Sequence, residues 1–77
     1  MIAVFKTTVN NHKDSNKLIE ALKKEFPESE INFDLEDCDN ILRIESHSVD
    51  VKTVINVMAD YKYKAVLMEK TNINVRI

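Results

Sequence analysis

The chain has 77 residues, 44% of them hydrophobic, with 11 Lys+Arg against 13 Asp+Glu and a formal net charge of −2. That is one small domain, too short for two cores and too apolar for intrinsic disorder, and its charge argues against a general nucleic-acid binder. Gly is absent, which removes every glycine-built phosphate loop, the P-loop and the dinucleotide fingerprint included.

Residues 2–9 (IAVFKTTV) are β-branched and aromatic, and predict a first strand. The polar segment Asn10-Asn11-His12-Lys13-Asp14-Ser15 can cap a helix, because these side chains accept hydrogen bonds from free N–H groups. Leu18, Ile19, Leu22 and Phe26 follow at helical spacing, with Lys17, Glu20, Lys23 and Lys24 opposite, and Pro27 stops the helix. Residues 31–35 (INFDL) and 41–45 (ILRIE) predict two short strands joined by the turn Glu36-Asp37-Cys38-Asp39-Asn40. Without Gly, that turn must place Asn or Asp at any positive φ. Asp50 is a second N-cap, with Val49 and Val54 spaced as a hydrophobic staple. Val51, Val54, Ile55, Met58 and Tyr61 make the expected buried stripe of the second helix, and residues 64–69 (KAVLME) a fourth strand.

The order β-α-β-β-α-β predicts an α+β chain of ferredoxin-like plan: a four-stranded antiparallel sheet with two helices on one face. Residues 1–69 make that single domain, and residues 70–77 a tail or additional strand. Thr71-Asn72-Ile73-Asn74-Val75-Arg76-Ile77 alternates, with Ile73, Val75 and Ile77 on one side. It can pair in cis with the fourth strand, pair in trans with a neighbour, or fray.

Several of these residues resemble the heavy-metal-associated domain family of copper chaperones and copper-ATPase N-terminal modules. That family has a Met-x-Cys-x-x-Cys loop opening the first helix, an Ala-Leu pair within it, a Val-Asp-Leu second strand and a Gly-Tyr pair before the fourth. Here Ala21-Leu22-Lys23-Lys24 lies in the helix, Phe33-Asp34-Leu35 in the second strand, and Lys62-Tyr63 at the Gly-Tyr position. Val9 stands for the loop Met, while Asn11 and Asp14 fall on the two cysteine positions. The resemblance covers roughly residues 2–69 and implies the same ferredoxin-like plan. Copper(I) prefers soft thiolates, so an amide and a hard carboxylate do not carry the copper site over.

In this topology, the connections at residues 9–14, 36–40 and 61–64 emerge at one end of the sheet. His12, Asp14, Asp37, Cys38, Asp39, Lys62 and Tyr63 then share that end. His12 and Cys38, with Asp14 or Asp37, suit a divalent ion such as zinc in their chemistry, though not in ligand spacing. The same residues also read as a solvated turn, a capping Asp and an ordinary thiol. Neighbouring Asp37 and Asp39 disfavour a Cys38 thiolate. His47, in Ser46-His47-Ser48, belongs to a surface loop at the opposite end. No triad, paired-acid site or cofactor loop is present, so no enzyme is expected, and no cofactor beyond a weakly bound divalent metal.

The sheet face away from the helices is expected to show Lys6, Asn32, Asp34, Glu36, Arg43 and Glu45 without an aromatic, which argues against RNA. Ile2, Val4, Ile41, Val66 and Met68 fall on the same face as an apolar patch, a mark of an interface. Its partner is expected to be a second copy, a small protein, or the chain's own tail through Ile73 and Val75. A single Cys38, no basic leader after Met1 and no apolar run of spanning length lead to the expectation of a cytoplasmic protein without a membrane partner. The function expected is therefore a small non-enzymatic binding module resembling heavy-metal-associated domains without their cysteine pair. The alternative is a metal-binding or metallochaperone-like protein using His12, Cys38 and Asp14.

Overall fold

The computed structural model of the chain describes residues 1–36 and 38–71. Its elements run β1 (Ile2–Thr7), α1 (His12–Glu25), β2 (Glu30–Asp34), β3 (Ile41–Glu45), α2 (Val51–Asp60) and β4 (Ala65–Thr71). The strands form one antiparallel sheet in the order β2-β3-β1-β4. This α+β arrangement is compatible with the ferredoxin-like plan.

Periodicity selects most of the residues that the elements bury. In β1, Ala3, Phe5 and Thr7 are buried, whereas Ile2 and Val4 are half-buried and Lys6 is exposed. Ile31, Leu42, Ile44 and Ala65 face the same side from the neighbouring strands. They join Leu18 and Leu22 of α1 and Val54 and Met58 of α2 in one hydrophobic core. Burying a Leu or Phe side chain of this kind stabilises the fold by about 1.5–3 kcal/mol, so this cluster outweighs every surface interaction described below.

The helix ends follow local chemistry. The Asn11 side chain accepts from the Asp14 amide at 2.8 Å and starts α1; Asp50 accepts from the Lys52 amide at 3.1 Å and starts α2. Val49 and Val54 are both buried, as a staple requires. α1 stops at the C-cap Phe26, next to Pro27.

Four expectations are corrected. β1 ends at Thr7 rather than residue 9: there the chain turns, and the Thr7 hydroxyl donates to the Asn40 carbonyl and accepts from the Val9 amide. Val9 is buried all the same, as a loop residue. β2 spans Glu30–Asp34, one residue earlier than expected. In α2, Ile55 and Tyr61 are 37% and 44% exposed, and Val57 packs against the core instead. The core-facing line therefore runs through Val51, Val54, Val57 and Met58, of which Val54 and Met58 are fully buried. β4 continues beyond Glu69, since Lys70 and Thr71 pair with Ala3 and Ile2. The expectations for Asp37, Ile73, Val75 and Ile77 lie outside the described residues.

Candidate functional site

Two regions hold the residues that the sequence singles out. The first is the end of the sheet where three connections meet on Thr7 and Thr8. The Thr7 amide donates to the carbonyls of Asp39 and Asn40, both at 3.2 Å, and its hydroxyl to the Asn40 carbonyl at 2.6 Å. Thr8 and Lys64 bond twice: the Thr8 amide donates to the Lys64 carbonyl at 3.2 Å, and the Lys64 amide to the Thr8 hydroxyl at 3.0 Å. The β2–β3 turn and the α2–β4 connection are thus tied to the end of β1. The two left-handed residues among those described, Asn40 (φ 49°) and Lys62 (φ 67°), sit in these same connections. They take the role glycine usually has.

At this end Asn11, Asp14 and Tyr63 form a linked set. The Tyr63 hydroxyl donates to Asp14 Oδ2, and Asn11 Nδ2 donates to the same oxygen at 3.4 Å. These donors hold the Asp14 carboxyl below its ordinary value, the Tyr63 hydroxyl contributing most and the Asn11 amide next. The Tyr63 phenol is raised in return, because losing its proton would remove the bond to Asp14. Asp14 also lies in the first turn of α1, where a negative charge complements the helix dipole. The set pins the start of α1 to the segment between α2 and β4.

His12 is exposed at the first position of α1, and Cys38 is exposed in the β2–β3 turn. Among the described residues no group of three His, Cys, Asp or Glu side chains gathers where a metal ion could be held. His12, Asp14 and Cys38 therefore share an end of the molecule without converging. Asn11 and Asp14 have structural work here: Asn11 caps α1 and Asp14 receives Tyr63. His47 is exposed at the opposite end.

The second region is the uncovered face of the sheet. Strand register arranges it in three rows, each read from β2 across β3 and β1 to β4. They are Glu30-Glu45-Ile2-Thr71, Asn32-Arg43-Val4-Glu69 and Asp34-Ile41-Lys6-Val66. Ile2, Val4 and Ile41 are half-buried, and Val66 is 61% exposed. A shallow depression of about 450 Å³ lies over the first two rows, lined by Ile2, Val4, Arg43, Glu45, Glu69 and Thr71. The Thr71 hydroxyl donates to Glu69 Oε2 at 3.1 Å and orients that carboxylate. Arg43 has no ion-pair partner among the described residues. Lys6 Nζ lies 3.5 Å from Asp39 Oδ1 at the far end of the face.

Glu69 and Thr71 reach this face through a β-bulge. β4 pairs Leu67 with Phe5 but Glu69 with Val4, leaving Met68 as the extra residue. Odd-numbered residues before the bulge, Ala65 and Leu67, lie on the helix side; those after it lie on the open side. Sequence reasoning missed Glu69 and Thr71 for this reason. The available signal was the run Val66-Leu67-Met68, where alternation lapses. Met68 is 53% exposed, but it does not continue the row of Val66.

No family model, curated protein or solved structure matches the chain. No described helix is long and apolar enough to cross a membrane.

Proposed function

We propose that the protein is a small, non-enzymatic interaction module of ferredoxin-like plan, and that the uncovered sheet face is its working surface. The observation that carries the reading is the depression with Ile2 and Val4 at its centre and Arg43, Glu45, Glu69 and Thr71 around them. An apolar centre within a polar and charged rim is the composition of a protein-binding patch. The resemblance to heavy-metal-associated domains extends to the outline of the fold and not to metal delivery. Asn11 and Asp14 hold the start of α1, and neither is a soft ligand.

The test is site-specific photo-cross-linking in the cells that make the protein. A photoreactive residue replaces Val66 on the open face, or Glu20 on the exposed side of α1 as a control. Defined adducts from position 66 but not position 20 are expected, to the protein itself or to another protein. Adducts from position 20 alone, or none from either, overturn the reading.

A further inference from the structure

We infer that the occupant of the uncovered face is a second copy of the chain, docked about a two-fold axis that runs parallel to β1. This rests on the proposal that the face is the working surface. The argument comes from the three rows of the face. A two-fold along the strand direction over β1 exchanges β3 with the partner's β4 and sets β1 over its own copy. Arg43 then meets Glu69 of the second copy, Ile41 meets its Val66, and Glu45 meets its Thr71. Ile2 and Val4 stack on themselves at the centre. The acidic residues of β2, Glu30 and Asp34, fall outside the contact and stay in water.

The other in-plane two-fold, across the strands, makes the opposite match. It sets Arg43 on Arg43, Glu69 on Glu69 and Glu30 on Asp34. Like charges directly opposed cost several kcal/mol, so charge alone selects the first arrangement. Its one repulsive element is Lys6 on Lys6, at the end of the face, where Asp39 already draws the ammonium aside. Arg43 lacks an ion pair within the described chain, and Glu69 is preoriented by Thr71. A guanidinium without an ion-pair partner among the described residues and a carboxylate that accepts from a neighbouring hydroxyl suit a self-complementary contact.

Area decides how strong this contact is. With strands about 4.8 Å apart and about 3.4 Å per residue, the face covers roughly 400 Å² per copy. That falls below the roughly 800 Å² per partner of a standard interface and in the weak, transient class. The dimer is therefore concentration-dependent, and its charge pairs set its orientation more than its strength.

Sedimentation velocity of the full chain at roughly 10–500 µM, the range suited to a weak interface, is the test. A monomer–dimer equilibrium is expected across that range. Arg43→Glu and Glu69→Arg each weaken it about tenfold, and the doubly reversed chain recovers most of the loss. Both residues are exposed, and circular dichroism checks that each variant folds. A dimer indifferent to both reversals, or one that the double reversal does not restore, overturns the proposed contact. A monomer at every concentration also overturns it. In that case, adducts from position 66 to other proteins leave the interaction-module reading standing. Removal of residues 72–77 that shifts the amide resonances of Ile2 and Val4 in such a monomer would name the tail as occupant.

Discussion

Tyr63, in the segment before β4, donates to Asp14 in the first turn of α1, 49 residues away in sequence. The stability it confers depends on pH in a defined direction. Asp14 has a folded pKa below its ordinary 3.8, so its contribution is present above that value and lost as pH falls through the lowered one. Tyr63 is raised above 10.0, so its contribution is present below that value and lost as pH climbs through the raised one. Tyr63→Phe keeps the ring against the core but removes the hydroxyl. The expected outcome is a lower urea midpoint at neutral pH and a shallower loss of stability below pH 4 than in the wild type. An unchanged acid limb would show that the hydroxyl does not hold the carboxylate in solution.

At the level of elements, the end of α2 is the most informative. The Tyr63 amide donates to the Met58 carbonyl at 3.0 Å and the Lys62 amide to the Ala59 carbonyl at 2.8 Å. Those two bonds define a Schellman C-cap, which needs a left-handed residue at Lys62, where most helices place glycine. A side chain there costs roughly 1–2 kcal/mol, partly offset by the lower entropy of the unfolded Lys chain relative to Gly. Lys62→Gly is therefore expected to stabilise the fold by about 0.5–1 kcal/mol, read as a rise in the urea midpoint. A fall would mean that the Lys62 side chain makes a compensating contact in solution. In β4, the bulge at Met68 acts at the same scale: one unpaired residue reassigns Glu69 and Thr71 from the helix side to the open face.

For the whole molecule, size sets the margin. At roughly 0.05–0.15 kcal/mol per residue, a chain of 77 residues has a stability of about 4–12 kcal/mol. Phe5 lies on the central strand and is fully buried. Phe5→Ala is expected to cost about 3–5 kcal/mol, enough to halve the margin or abolish folding, as urea titration would record. A cost below about 1 kcal/mol would contradict the placement of Phe5 at the centre of the core. The surface pair Lys6–Asp39, by contrast, is half in water and contributes little. With so small a margin, any partner that binds only the folded chain adds visibly to its stability.

The number and order of elements were legible in the sequence, because alternation in strands and the i, i+3, i+4 spacing in helices are local. So were the N-cap at Asp50 and the helix stop at Pro27, which act within one turn of their own position. The meeting of three connections at one end, held by Thr7 and Thr8, followed from the topology, although the hydrogen bonds themselves did not. Tertiary structure alone decided the rest. Asp14 and Tyr63 were placed at one end from sequence, but their bond depends on how α1 sits over the sheet. His12, Asp14 and Cys38 have the chemistry of a metal site and lack the convergence, which no residue type encodes. The bulge at Met68 is a choice between two registers of β4 against β1. The pairing adopted sets Leu67, half-buried against the core, opposite Phe5 and leaves Glu69 in water beside Val4. A strand's own residues cannot reveal that choice, because it belongs to the fit between two strands packed against the same core.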